Sequence, residues 1–373
     1  MEKKKVLILY APLGAGHGSA AKAIAEVFSL KYPDIDVKNI NVLDFAFEIF
    51  KQGLPWAFFN LNLKAPFLYK WIYKYYNHQS RYKFLNNVSN VILEKSRFVE
   101  FIKEFNPDFI ISTNPLPMQL VSKTKEKNII DILSANVCTD FGFHSFWHNA
   151  DVNYYFVADE EIKKSLIEHG VDSKKIQVVG IPTSLKFNNT LDREKIINNL
   201  GFDISRPILL IVGGRTSYKK LLTIISGVKQ KNNGLQFIIV AGRDKILQKK
   251  MKDSKISNDP SVRIFDFVDN LDEYMTAADL ILTKAGGLTV SECLVKSLPM
   301  VINDIIPGQE EDNVNYIVNH GVGVKADNVK ESIVAVNKLF LQPEKLTAMR
   351  ENCKKIAKLN VADDLVNFVV SKI

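Results

Sequence analysis

The sequence predicts an α/β protein of two doubly wound domains in tandem, with an interdomain cleft as the ligand site, and two observations carry that expectation. Short runs rich in Ile and Val alternate with helical patterns from end to end. They are apolar on consecutive residues, as strands are when helices cover both faces of a parallel sheet. Around 187–206 the sequence turns polar, and ILLIVGG then restarts the pattern. In open sheets of this kind ligands bind at the carboxyl ends of the strands.

In chain order, strands are expected at 6–10, 37–42, 109–113, 129–137, 154–158 and 176–179. A second series follows at 208–213, 237–241, 262–267, 280–283 and 300–303. The first intervening helix is set by Ala20, Ala23, Ile24, Val27 and Phe28, whose spacing of three and four residues makes one apolar stripe. The expected divisions are 1–186, 187–361 and a tail helix at 362–373 that can cross back to the first domain.

The 373 residues suffice for two domains, and 46% hydrophobic with 24% charged residues suits real cores. No apolar run approaches the ~20 residues that cross a bilayer. The opening MEKKKVLILY resembles a signal sequence only superficially, because its apolar stretch is short and ends in a glycine loop. Three scattered cysteines (Cys138, Cys293, Cys353) indicate neither a disulfide framework nor a zinc site, so a reducing cytoplasm is expected.

The net charge of +8 is concentrated: 51–97 holds eight basic residues against Glu94 alone, among many aromatics. Lys64, Lys70 and Lys74 with Trp56 and Trp71 suggest an anionic surface, either lipid headgroups or nucleic acid. Nucleic acid is disfavoured, because the charge is local and no nucleic-acid motif accompanies it. The plain alternative is a solvated helix face with its aromatics in the core.

Four segments suggest chemistry. LGAGHGSA (13–20) follows the first strand, and its glycines, Gly16 among them, let backbone N–H groups approach a polar ligand. It is neither G-x-G-x-x-G nor a P-loop. His17 inside it has the chemistry of a general base, or simply caps its own helix. CTDFGFHSFWHNAD (138–151) crowds Asp140, His144, Trp147 and His148 at a strand's end. Asp140 suits an orienter or alternative base, and the aromatics an acceptor pocket. His144 and His148 lack a third ligand, so a metal is not expected. Asp34 and Asp36 have D-x-D form but precede a strand, at the wrong end of the sheet. TKAGGLTVSE (283–292) reads as strand, Gly-Gly turn and helix. Gly286 and Gly287 can bring backbone N–H groups to a diphosphate at the helix start. Thr289 adds a hydroxyl. Glu292 would repel phosphate and instead suits the paired hydroxyls of a ribose. IPGQEEDN (306–313) then offers Gln309, Glu310 and Asn313 to a sugar. Together these suggest a nucleotide-sugar.

The segment TKAGGLTVSECLVKSLPMVINDIIPGQEEDN, with APLGAGHGSAAKAI and CTDFGFHSFWH, resembles the family of bacterial diacylglycerol glucosyltransferases and plant monogalactosyldiacylglycerol synthases. The peptidoglycan N-acetylglucosaminyltransferase is a more distant relative. The resemblance implies the GT-B type of fold, two Rossmann-like domains, and inverting transfer of glucose or galactose from a UDP-hexose to diacylglycerol. No obligate cofactor or metal is expected, since helix N-terminal and backbone donors can stabilise a leaving diphosphate, and the basic segment 51–97 would dock the protein on the inner face of the cell membrane. By position the resemblance gives His17 the base's role, Gly287, Leu288 and Thr289 the diphosphate, Glu292 the ribose, and Gln309 and Glu310 the sugar. Beside these, the residues' own placement puts Asp140 with the base, Gly16, His144 and Trp147 on the acceptor side, Gly286 at the diphosphate and Asn313 at the sugar. Phe267 and Val268 would meet the uracil. The loop VGGRTSYKK departs from the family's glycine-rich form: Arg215 and Lys219 replace some of that flexibility and either supply phosphate charge or mark an altered site, with Gly214 and Arg215 on the donor side. A peptidoglycan-type transferase, a UDP-sugar epimerase and a non-catalytic nucleotide-sugar binder share parts of this pattern.

Overall fold

The computed structural model describes residues 3–76, 95–148, 151–213, 217–308 and 310–373. Its strands form two six-stranded sheets among the described residues, and every pairing in both is parallel. The first holds β1 (Lys5–Tyr10), β2 (Asp36–Asn41), β3 (Phe109–Ser112), β4 (Leu133–Val137), β5 (Tyr154–Val157) and β6 (Ile176–Val178), in the order β2-β1-β3-β4-β5-β6. The second holds β7 (Ile208–Val212), β8 (Gln236–Val240), β9 (Val262–Phe265), β10 (Leu280–Thr283), β11 (Met300–Ile302) and β12 (Gly323–Lys325), in the order β12-β11-β10-β7-β8-β9. Both are doubly wound, as the alternating pattern requires. The winding reverses between β1 and β3 in the first sheet and between β7 and β10 in the second. Those reversals open the crevices where ligands of such folds sit.

Two compact units result. One comprises Met1–Leu185, Ile306–Asp312 and Asn360–Ile373; the other comprises Lys186–Ile305 and Asn313–Leu359. In the first unit the sheet residues Val6, Ile8, Phe109 and Ile111 pack with Ala21, Ile24 and Phe28 of the helix Ala15–Lys31. The helix Val361–Val370 closes the same core through Ala362, Leu365, Val366 and Val369. An ion pair from Lys31 to Asp363 and a hydrogen bond from the Tyr32 hydroxyl to Asn367 (2.8 Å) pin its outer side. The second core gathers Leu209, Ile211, Phe237, Ile239, Leu280 and Leu282 under Ile224, Val228 and Val336.

Two sequence expectations need correction. Strand β4 starts at Leu133 rather than 129, because Asn128 takes a left-handed φ of 53° and turns the chain first. Strand β12 was not expected; its three residues are too few to print a pattern. Asp36 opens β2 and its N–H bonds the Lys4 carbonyl, at the amino end of the sheet and away from the loops that carry His17 and Asp140.

The second sheet is tied at its amino end by Asp279. Its carboxylate accepts from the Ile208 N–H (2.9 Å), from Arg193 (3.1 Å) and from Arg350 (2.8 Å). One side chain thus joins β7, the start of β10 and two helices. Replacing Asp279 by Ala strands these donors, of which the two arginines remain about one-third exposed, so solvent moderates their share of the loss. Urea unfolding is expected to report a loss of about 2 kcal/mol, with Asp279→Asn losing less. An unchanged midpoint would remove the tie from the account of stability.

Candidate active site

The first reversal point carries His17. Gly14 makes the turn out of β1 with φ 99° and ψ 157°, a conformation essentially reserved to glycine, and the helix Ala15–Lys31 starts at once. His17 therefore lies in the first helical turn, only 8% exposed. Its Nδ1 is 2.8 Å from the Thr113 carbonyl oxygen, just beyond β3, and the Thr113 hydroxyl donates back to the His17 carbonyl at 2.9 Å. The two strands that flank the reversal are thereby locked together. A carbonyl oxygen can only accept, so Nδ1 carries the proton; the Thr139 hydroxyl, 2.8 Å from the same nitrogen, shares it. In the neutral ring the lone pair is then on Nε2. Such an imidazole is a base of fixed tautomer and orientation.

The surrounding residues divide by what they touch. Asp140 is half-buried beyond β4. Its charge acts on Cys138, whose thiol burial already pushes well up, and on Asp312, whose carboxyl is raised by burial, Glu311 and Asp140. His144 is buried and its Nδ1 accepts the Phe146 N–H at 3.2 Å, capping the short turn Ser145–Trp147. Trp147 is buried, its ring centroid 6.4 Å from that of His17, and its carbonyl accepts from Asn136 (3.1 Å). Gly16 occupies the same first turn as His17.

The aromatic segment lies largely on the outside. Trp56 on the helix Glu48–Lys64 is 67% exposed, and Phe67 and Trp71 on Pro66–Tyr76 are 87% and 61% exposed. Trp71 stacks on Tyr75, whereas Tyr69 is buried. Lys74 is exposed, and Lys70 is engaged by Glu311 at 2.5 Å. No helix among the described residues is long and apolar enough to cross a membrane.

The second reversal point carries the Gly-Gly turn. β10 ends at Thr283, and Gly286 caps the helix Gly287–Val295. Its cap makes no side-chain hydrogen bond and its first turn holds no acid. The N–H groups of Gly287, Leu288 and Thr289 therefore point from a positive helix end with no capping side chain over them. The turn is held from behind: fully buried Asn313 donates from Nδ2 to the Ala285 carbonyl at 2.8 Å. Glu292 follows one turn later, 9% exposed. Burial is the main cause that raises its carboxyl to about 8; Lys186 opposes this and Asp272 adds to it. Lys186 itself reaches the Asp269 carbonyl and stands 3.8 Å from Asp272.

Phe267 and Val268 follow β9 at the carboxyl edge of the same sheet, with the Arg243 guanidinium 4.5 Å over the Phe267 ring. Glu310 turns onto its own loop, its Oε2 accepting the Ile306 N–H at 2.9 Å. Gly214, Arg215, Gln309 and the side chain of Lys64 lie outside the described residues. Among the described residues no group of three or more His, Cys, Asp or Glu side chains is placed to hold a metal ion. Sequence reasoning missed Thr113 and Thr139 behind His17, and Lys186 and Asp272 around Glu292.

Known proteins show the same two-part layout. Residues 17–183 match the family Monogalactosyldiacylglycerol (MGDG) synthase, and residues 208–365 match the Glycosyltransferase family 28 C-terminal domain. A processive diacylglycerol beta-glucosyltransferase of Staphylococcus epidermidis is 28% identical over 368 residues, covering 93% of this chain and 88% of the relative. Among solved structures, MurG of Acinetobacter baumannii superposes with a TM-score of 0.60 at 15% identity, covering 99% of both chains. A putative UDP-N-acetylglucosamine 2-epimerase of Listeria monocytogenes gives 0.66 at 14% identity, over 100% of this chain and 96% of the other. At such identities the superpositions speak for the fold alone.

Proposed function

The chain joins an MGDG synthase domain to a glycosyltransferase family 28 C-terminal domain, and from that pairing we propose that this UDP-sugar-dependent glycosyltransferase moves a hexose onto a hydroxyl of diacylglycerol with inversion at the anomeric carbon. The observation that carries the chemical part is the fixed tautomer of His17, whose Nδ1–H is committed to the Thr113 carbonyl. In the proposed step the acceptor hydroxyl gives its proton to Nε2 of His17 while its oxygen bonds to the anomeric carbon. The bond from that carbon to the diphosphate oxygen breaks on the opposite side, and UDP departs. The N–H groups of Gly287, Leu288 and Thr289 stabilise the charge on the leaving diphosphate, and Glu292 holds the ribose. Asn313 acts by fixing the turn, through the Ala285 carbonyl. Asp140, half-buried beyond β4, is the alternative base.

Access to a lipid acceptor follows from the outer aromatic face. Large apolar side chains left in water beside cations are the makeup of an interfacial helix, so the protein is proposed to dock peripherally on the inner face of the cell membrane. Each basic residue near an anionic surface adds about 1 kcal/mol. Phe67→Ser with Trp71→Ser is expected to lower sedimentation with anionic vesicles at least about tenfold. Unchanged sedimentation would place the docking face elsewhere.

The reaction is tested by UDP release from UDP-glucose, UDP-galactose and UDP-N-acetylglucosamine, each with and without diacylglycerol vesicles. Vesicle-dependent release from a hexose donor, with a glycolipid product, is expected. Release without acceptor, or from the acetylated donor alone, would favour an epimerase or a peptidoglycan-type transferase.

A further inference from the structure

A second cationic surface stands outside the segment 51–97. The helix Lys245–Lys252, which follows the carboxyl end of β8, carries four lysines and no acid in its eight residues. Leu247, Gln248 and Met251 are buried, so Lys245, Lys249, Lys250 and Lys252 share the outward arc with Ile246, itself 68% exposed. Exposed Arg243 and Lys255 extend the charge at either end. The flanking acids offset little of it. Asp244 accepts from the N–H groups of Ile246 and Leu247 and so caps the helix, and Asp253 follows at the C-cap. Lys252 pairs with Asp266 at 2.6 Å, whereas Lys245, Lys249 and Lys250 make no ion pair among the described residues.

The helix dipole does not account for this pattern. It favours cations in the last turn, where Lys249, Lys250 and Lys252 stand, and disfavours one at the start, where Lys245 stands. Lys245 and Lys249 are four apart, a spacing at which like charges repel. An anionic surface relieves that repulsion. Ile246 on the same arc fits a lipid headgroup layer better than a nucleic-acid backbone, because an apolar side chain beside cations can enter the layer. All strands of the second sheet run parallel, so this helix leaves the same carboxyl edge as the Gly-Gly turn after β10. We propose that the lysine face of Lys245–Lys252 is a second contact with an anionic lipid surface, made by the unit that carries the donor turn. This rests on the reading of the protein as a peripheral lipid enzyme, and it adds a contact to the aromatic face of the first unit.

The test is sedimentation of the full chain with phosphatidylcholine vesicles, with and without phosphatidylglycerol, at low and high salt. The variant combines Lys245→Gln, Lys249→Gln and Lys250→Gln, which removes charge but keeps helix-forming side chains. Its binding to the anionic vesicles is expected to fall at least about tenfold at low salt, and its binding to pure phosphatidylcholine by less than about twofold. Combined with Phe67→Ser and Trp71→Ser, the two losses should multiply, as they do for independent contacts. Unchanged binding to anionic vesicles would overturn the proposal while leaving the aromatic face in place. Equal loss on both kinds of vesicle would overturn it too, by showing a damaged fold rather than a lost charge contact. So would a short single-stranded RNA that the unaltered chain holds and the variant releases while vesicle binding persists. If the unaltered chain sedimented with neither kind of vesicle, the peripheral reading would fail first and take this contact with it.

Discussion

His17→Ala is expected to lower kcat about a thousandfold while UDP-sugar affinity changes by no more than a few-fold. The side chain is held at the reversal point of the first sheet, whereas the elements proposed to bind the donor belong to the second. On the proposed mechanism, His17 would contribute through proton transfer rather than donor binding. Thr139→Val should weaken the hold on the ring without deleting it, and cost roughly tenfold in kcat. Steady-state rates with diacylglycerol vesicles, beside UDP titrations, read both. Should His17→Ala retain most of its kcat, the base is another group, with Asp140 the next to examine.

Glu292→Gln should act in two opposite directions. Two hydroxyl contacts to a carboxylate are replaced by one acceptor and one donor, so UDP binding is expected to weaken by about ten- to a hundredfold. Folding stability should instead rise at alkaline pH. The carboxyl is raised from 4.5 to about 8 in the folded chain, so the folded state holds an extra proton between those values. The stability this contributes is complete below pH 4.5 and is lost as pH rises through about 8. Glutamine keeps the neutral form at every pH. The melting temperature of the variant should therefore exceed that of the unaltered chain by a margin that widens with pH and levels off above about 8. Donor capture by the ionised carboxylate should release a proton below that pH, measurable as buffer-dependent heat of UDP binding. A margin independent of pH would show that Glu292 is already ionised in the free protein.

Much of this was legible in the sequence because it is local. Strand, turn and helix at 280–295 are consecutive, so Gly286, Gly287 and Glu292 could be given positions from spacing alone. The alternation of apolar runs likewise carried the two wound sheets. What could not be read is contact across distance. His17 takes its tautomer from Thr113 and Thr139, 96 and 122 residues away, and one of those partners is a backbone carbonyl, which carries no residue signature. Glu292 is flanked by Lys186 and Asp272 from other elements. His144 stands out by residue type, and its capping of a three-residue turn is a further contact that the type alone does not signal.

The closing helix Val361–Val370 gives the chain an unusual order of assembly. The first unit lacks one wall until the last residues have been made, because Leu365, Val366 and Val369 belong to the core that Val6, Ile24 and Phe28 began. During synthesis the second unit has nearly all its strands and helices before the first can be completed. An amino-terminal piece ending at Leu185 would leave the apolar stripe of Ala15–Lys31 without its cover and prone to association. The half that carries the proposed base is thus the last to become whole, so a chain cut just before residue 361 keeps a complete second unit and yet forfeits the first.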